Sequence, residues 1–355
     1  MTTLFCIRPA TRNIGNDLIY QATCDLLRGV FGPEVTLVSI PALQGAQYGG
    51  LTASQVHDIN RLADAVIIGG GNLFENGQLT FDPAAFAALR VPLMLMAVSH
   101  GRIDDAHGNP VGRTDSLPAD VIGRLCERAS IVLVRDHGTK RLLGAMGLSA
   151  VEVGGCPSLF ISGAAAAEAT AGRILISIRH PSRMSVMPEV QWRTVSDLRA
   201  VIDRLTDIYG AKLRLICHDY RDLEFARAFP DVPALYFDDA VRYIEALKTA
   251  QFTVTYRLHA FLPCLALGTP SIHLSYDERG REMVATAGMR DWDVDLTREP
   301  DVVGAVMQRA GDLRRYHALR SAAQSTLGAL RATSEASLRR FAAEIAQSKP
   351  CQGGH

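Results

Sequence analysis

The sequence predicts an α/β protein made of two doubly wound, Rossmann-like domains. Three observations carry that reading. Short, continuous apolar runs alternate with helical patterns, as expected where a parallel sheet is covered on both faces. The alternation is broken once, by a stretch of small residues, and then resumes. Polar and charged residues gather directly after the apolar runs, at the sheet edge where open α/β folds bind ligands.

The elements follow in order. In the first half, strands are expected at 3–7, 34–39, 64–68, 92–98, 131–134 and 151–153, with helical patterns at 16–29, 54–62, 118–128 and 137–146. The runs A-V-I-I, L-M-L-M-A-V and I-V-L-V are apolar throughout, which suits strands buried on both sides. The stretch 162–172, S-G-A-A-A-A-E-A-T-A-G, is the expected linker. Beyond it, strands are expected at 173–178, 212–217, 234–237, 252–255 and 271–275, and helices at 194–208, 222–228, 239–249, 258–267 and 280–287. The expected division is an N-terminal domain at 1–161, a second domain at 173–311 and a helical segment at 312–347 that packs back on the first domain.

Composition narrows the function classes. Thirty-seven Lys and Arg balance thirty-seven Asp and Glu, which argues against a general nucleic-acid binder. A hydrophobic content of 48% is that of a protein with a full core, and no apolar run reaches the roughly 20 residues of a membrane span. The start, M-T-T-L-F-C-I-R-P, has no basic n-region or cleavage site, so the expected location is the cytoplasm, with any membrane contact peripheral and at the inner face. The seven cysteines are odd in number, lack a C-x-x-C pair and read as buried free thiols. The histidines show neither H-x-x-x-H nor H-E-x-x-H, so no metal is expected. No pattern sets an oligomeric state.

The densest cluster of chemistry lies at 252–289. A β-branched run leads into Arg257 and His259, an apolar helical pattern follows, and a second strand delivers Tyr276, Asp277, Glu278 and Arg279. A cation and an imidazole at a helix N-terminus make an anion site with an acid or base beside it. Pro263 fits best near a first turn, so this helix should start close to His259 or be kinked. Arg179 and His180 follow the strand at 173–178, and His218 and Asp219 hold the equivalent place after 212–217, where they either orient a ligand or cap a helix. In the first half, Asn13, Gly15, Asn16 and Asp17 lie between the first strand and helix, with Asn16 or Asp17 available as an N-cap. Gly69, Gly70, Gly71 and Asn72 follow the third strand and allow close approach of the backbone to another molecule. This run is neither a Walker loop nor G-x-G-x-x-G. Arg135 and Asp136 are second-rank candidates, readable as a local ion pair or an N-cap.

Six of these segments, in order, resemble the polysaccharide pyruvyltransferase family: Gly15-Asn16-Asp17, the A-D-A-V-I-I-G-G-G-N-L-F run at 63–74, Val134-Arg135-Asp136, Gly155-Cys156-Pro157-Ser158, Ser177-Ile178-Arg179, and the R-L-H-A helix with the following G-x-P-x-I and Ser-Tyr-Asp strand. Two positions depart from the family pattern. Asn16 stands where a further Gly usually precedes the Asp, and Arg279 where a Lys is common.

The resemblance implies two domains facing across a cleft, a GT-B-like arrangement. It also implies transfer of pyruvate from phosphoenolpyruvate to hydroxyls of a sugar or lipid-linked glycan, with phosphoenolpyruvate as co-substrate and no other cofactor. On that reading Arg179 and Arg257 clamp the two anionic ends of the donor. His259 supplies acid and base. Tyr276, Glu278 and Arg279 line the site, and Asn16, Asp17, Gly70, Gly71 and Asn72 hold the acceptor. The rival readings are a glycosyltransferase using a nucleotide sugar, for which Glu278 could hold the ribose, and a non-catalytic carbohydrate-binding relative.

Overall fold

The structure, a computed structural model, describes residues 2–10, 13–45, 48–105, 107–163, 172–184 and 186–348. Stretch 164–171 of the expected linker, and Cys351, lie outside the described residues. The other six cysteines are free and buried.

The first half alternates β1 (Thr3–Arg8), α1 (Ile14–Phe31), β2 (Thr36–Pro41), α2 (Ala53–Leu62), β3 (Ala65–Gly71), α3 (Pro83–Ala87) and β4 (Leu93–Val98). A two-stranded antiparallel ribbon, β5 (Ile103–Asp104) and β6 (Pro110–Val111), precedes α4 (Ala119–Arg128), β7 (Ile131–Val134), α5 (His137–Ala145) and β8 (Val151–Val153). The second half runs β9 (Ile174–Ile178), α6 (Pro188–Tyr209), β10 (Leu213–Cys217), α7 (Asp222–Ala226), β11 (Ala234–Tyr236), α8 (Ala240–Lys248), β12 (Phe252–Thr255), α9 (Leu258–Leu267), β13 (Ser271–Ser275), α10 (Glu278–Thr286), β14 (Val294–Asp295), α11 (Val302–Gly311) and α12 (Leu313–Ser348).

The strands form two parallel six-stranded sheets, ordered β2-β1-β3-β4-β7-β8 and β11-β10-β9-β12-β13-β14. The strand order reverses between β1 and β3 in one and between β9 and β12 in the other. Such switch points open a crevice at the carboxyl ends of the strands. The residues that follow these four strands include Asn13, Asn72, Arg179 and Arg257, so topology alone brings the two polar loops of each sheet together.

Alternation explains why both faces of the first sheet are apolar. Phe5, Ile7, Val66 and Ile68 enter one buried cluster, while Leu4, Cys6, Ala65 and Ile67 enter the opposite one. Leu338, Phe341 and Ile345 of α12 close that second cluster, and Ser334 Oγ donates to the Gly154 carbonyl at 2.7 Å. Gly69 allows β3 to lie against a bulge at Ala97 of β4, since a Cβ on Gly69 would meet the Met96 carbonyl oxygen at 1.9 Å. No described helix is long and apolar enough to cross a membrane.

Several boundaries differ from the sequence reading. Helix α1 starts at Ile14, capped by Asn13 rather than by Asn16 or Asp17. Helix α6 starts six residues before the expected 194, at Pro188, where the missing N–H costs nothing. The ribbon, α3, α11 and β14 were too short or too weakly patterned to be expected.

Candidate active site

The two sheets' carboxyl ends face one another across a cleft of about 310 Å³. The halves touch at its base, where the Ile14 N–H donates to the His218 carbonyl at 3.1 Å. Among the described residues, six arginines line the cleft (Arg135, Arg179, Arg183, Arg221, Arg257 and Arg279), against one carboxylate, Asp277. Asn13, Asn16, Asn72, Asn76 and Gln78 form the wall from the first half. Five guanidinium groups from the second half, with Arg135 and the amides from the first, suit an anion beside a polyhydroxyl ligand.

A buried carboxylate organises the arginines. Asp222 opens α7 and is fully buried. Its Oδ2 accepts from Arg257 Nη2 at 2.9 Å, the His218 N–H at 3.1 Å and the Asp219 N–H at 3.0 Å. Its Oδ1 lies 3.4 Å from Arg179 Nε. Asp219 in turn binds Arg221 through both carboxylate oxygens. The His218-Asp219 turn therefore presents arginines to the cleft rather than a ligand contact of its own. Among the described residues, the Nε atoms of Arg135, Arg179 and Arg257 are buried without a hydrogen-bond partner.

Arg257 occupies the N-cap of α9 and makes no side-chain cap, and the first two residues of this helix, Leu258 and His259, line the cleft. Pro263 lies inside the helix, not in its first turn. It cannot donate to the carbonyl four residues back, that of His259. The Tyr243 hydroxyl donates there instead, at 3.3 Å.

His259 lines the cleft half-buried. Burial first, then the guanidiniums of Arg135, Arg257, Arg279 and Arg179, push its pKa down from 6.5 to about 3. The ring is a neutral imidazole near pH 7, and in the empty cleft it is a weak base. The sequence reading gave it acid and base work alike. Acid work requires an anion in the cleft to offset the arginines.

The end of β13 divides its polar residues. Tyr276, Asp277 and Arg279 line the cleft. Asp277 caps α10 through the Gly280 N–H at 2.8 Å and holds Arg279 Nη2 at 2.6 Å. Arg279 also reaches Glu75, a fully buried carboxylate of the first half. Glu278, expected to line the site, does not. Its carboxylate takes both Nε and Nη2 of Arg102, at 3.0 and 2.7 Å, together with the Arg102 N–H at 2.9 Å. It is a bridge between the halves, because α10 turns it away from the face that carries Arg279.

In the first half, Asn16 and Asn72 line the cleft. Asp17 lies outside the lining and pairs with Arg8 at 3.0 Å. Gly70 and Gly71 also lie outside it; their positive φ values, 86° and 133°, turn the chain so that Asn72 enters. The sequence reading missed Arg183, Arg221, Asn76, Gln78, Glu75 and His273. Only Arg221, two residues from Asp219, and His273, an imidazole in the middle of the strand S-I-H-L-S, carried any local signal.

Comparison with known proteins places this arrangement. The S. aureus MnaA protein solved with UDP is 15% identical over 100% of both chains, with a TM-score of 0.61. The Neisseria meningitidis UDP-GlcNAc 2-epimerase bound to UDP-GlcNAc is 12% identical, covering 98% of this chain and 99% of that one, with a TM-score of 0.58. The putative UDP-N-acetylglucosamine 2-epimerase of Listeria monocytogenes is 11% identical over 90% of each chain, at 0.56. At these identities the likeness is one of fold. No curated protein matches the sequence. Two Rossmann-like domains around a polar cleft define a GT-B-type protein. Within that class the chain belongs to the polysaccharide pyruvyl transferase family, whose model matches residues 13–278.

Proposed function

We propose that this enzyme transfers the pyruvyl unit of phosphoenolpyruvate to two hydroxyls of one sugar, forming a cyclic ketal and releasing phosphate. The observation that carries the reading is the pairing of an arginine-rich cleft wall with a neutral imidazole. Phosphoenolpyruvate brings a phosphate and a carboxylate, and Arg179 and Arg257 are the proposed clamp, with the N-terminus of α9 beside them. Tyr276 adds a phenol that burial, then Asp277, pushes up in pKa, so it stays a donor.

The chemistry needs a proton on C3 of the donor and attack of a hydroxyl at C2. Bound phosphoenolpyruvate supplies the negative charge that lets His259 take up a proton and pass it on. The acceptor, a sugar or lipid-linked glycan, would lie along the amide wall of residues 13–78. In this scheme 173–311 is the donor half, 1–161 the acceptor half and 312–347 a brace. We place the reaction in the cytoplasm, with lipid-linked acceptors met at the inner membrane face.

Engagement of Glu278 by Arg102 weakens the nucleotide-sugar alternative, which needed a free carboxylate there. The test is a thermal-shift titration with phosphoenolpyruvate and with UDP, followed by phosphate release in the presence of glycan acceptors. Stabilisation by phosphoenolpyruvate, lost in Arg257→Ala, is expected. Stabilisation by UDP alone, with no release of phosphate from phosphoenolpyruvate, would overturn the proposal.

A further inference from the structure

A second imidazole reaches the cleft from β13. His273 is buried, 1% exposed, yet contributes to the lining beside Tyr276, Asp277 and Gly280. Its Nδ1 lies 2.8 Å from Asp293 Oδ1. Ser275 Oγ donates to the other oxygen of Asp293 at 2.5 Å. A carboxylate at Nδ1 fixes the proton there and leaves the lone pair on Nε2. That Nε2 has no hydrogen-bond partner among the described residues. Leaving a buried ring nitrogen unpaired is unfavourable, a cost that a purely structural histidine has no reason to carry.

Gly280 opens the approach. A Cβ on this residue would lie 3.4 Å from His273 Cε1 and 3.2 Å from Ser275 Oγ. With no side chain at this position, nothing from Gly280 stands between the ring edge and the cleft wall.

We propose that His273, held by Asp293, is a second proton-transfer residue of the cleft, serving the second acceptor hydroxyl and the departing phosphate. The proposal rests on the pyruvyl-transfer reading. That reaction moves two hydroxyl protons. When the first hydroxyl adds to C2, its O–H bond and the C2=C3 π bond break, a C2–O bond forms and the π electrons take up a proton at C3. When the second adds, its O–H bond breaks, another C2–O bond forms, and the C2–O bond to phosphate breaks with the electron pair leaving on phosphate. Phosphate carries away the second proton, and nothing is oxidised or reduced. Among the described residues nothing hydrogen-bonds His259 Nδ1, so no carboxylate holds a proton there. His273 has one, so it can hold the second proton between hydroxyl and phosphate.

The decisive variant is His273→Asn. Its amide nitrogen overlays Nδ1 and keeps the donation to Asp293, while Nε2 is deleted. The expected result is a melting temperature close to that of the unaltered protein, an unchanged KM for phosphoenolpyruvate and a kcat for phosphate release lower by about 10²–10⁴-fold. Gly280→Ala, which sets a methyl group against the ring edge and leaves the His273–Asp293 hydrogen bond in place, should lower kcat in the same direction. Unaltered kcat in His273→Asn would overturn the proposal. A readout independent of turnover is the ¹⁵N spectrum of the histidines in the full chain, titrated with inorganic phosphate. Movement of the His273 Nε2 signal, abolished in Asp293→Asn, is expected. A His273 signal that stays still overturns the dyad's role. Absence of phosphate release from phosphoenolpyruvate in the unaltered enzyme, with His273 responding to phosphate, would instead reject the pyruvyl-transfer reading and leave the dyad as an anion-facing group.

Discussion

The imidazole of His259 rests on the α-carbon of Gly15: a methyl group there would lie 2.3 Å from both Cβ and Cγ of the histidine. One residue belongs to each half, so this contact sets how closely the halves meet at the base of the cleft. Gly15 is the second residue of α1, where alanine would otherwise favour the helix. The glycine is required by space rather than by backbone conformation. Gly15→Ala should cost about 1–3 kcal/mol through overpacking and displace the ring. Displacement of a reacting group by about 1 Å costs on the order of 10²-fold in rate. Calorimetry and phosphate release should therefore both fall. Full activity in Gly15→Ala would show that the position of His259 is not set by this contact.

Pro263 and Tyr243 are coupled through one carbonyl. The proline deprives the His259 carbonyl of its helical donor, and the tyrosine hydroxyl replaces it. Tyr243→Phe should cost about 0.5–1.5 kcal/mol. Pro263→Ala restores an N–H in the helix, so the double variant should lose less than the sum of the single ones. Denaturant unfolding of the four proteins gives the coupling directly, and strict additivity would argue that the two residues act on different groups.

The sequence made the sheets legible because strands buried on both faces are written as unbroken apolar runs, as at 65–68 and 93–98. Positions after strands were legible for the same reason, which is how Arg179, Arg257 and His259 came into view together. What faces what was not legible. Glu278 and Arg279 are adjacent in sequence, but the first turn of α10 sends one to Arg102 and the other into the cleft. Glu75 and Asp222 gave no signal, since a carboxylate in a loop or helix reads as a solvated charge until the fold buries it beneath an arginine. His273 stood out within its strand, but its partner Asp293 lies twenty residues away in sequence, so the pair could not be read.

The bridge from Glu278 to Arg102 separates stability from ligand binding. Burial pushes the Glu278 carboxyl up, but its bonds to Arg102 more than reverse this and hold it below its ordinary range. A depressed carboxylate stabilises the fold above its unfolded pKa, and this contribution is lost as pH falls through the folded value. Glu278→Gln should lower stability by about 1–2 kcal/mol at neutral pH and flatten the acid limb of the stability curve. It should leave the thermal shift produced by phosphoenolpyruvate intact, unlike Arg257→Ala. Loss of that shift in Glu278→Gln would return Glu278 to the ligand site.

The depressed pKa of His259 makes anion binding a proton-uptake reaction. In the free protein the ring is neutral over most of the range because burial and four arginines oppose its charge. A dianion among those arginines offsets them and raises the ring's pKa toward its ordinary 6.5. Binding then draws a proton from solvent at pH values between the free and bound pKa, and affinity rises as pH falls through that window. Sulfate is the suitable probe, since it does not itself titrate there. Calorimetry at pH 5 in two buffers of different ionisation enthalpy should show uptake of a fraction of a proton per site, declining toward zero at pH 8. His259→Gln should abolish the uptake while retaining sulfate binding. The same histidine bears on stability with the sign worked out: its folded pKa lies below the unfolded one, so the unfolded chain binds the extra proton and stability falls as pH drops below about 6.5. His218, fully buried and shifted in the same direction by burial and then by Arg257, adds to that slope. Sulfate should oppose it, because the bound anion lets His259 be charged in the folded state as well. A flat affinity for sulfate between pH 5 and 8, with no proton uptake, would mean that the ring does not sense the anion and would remove His259 from the donor site.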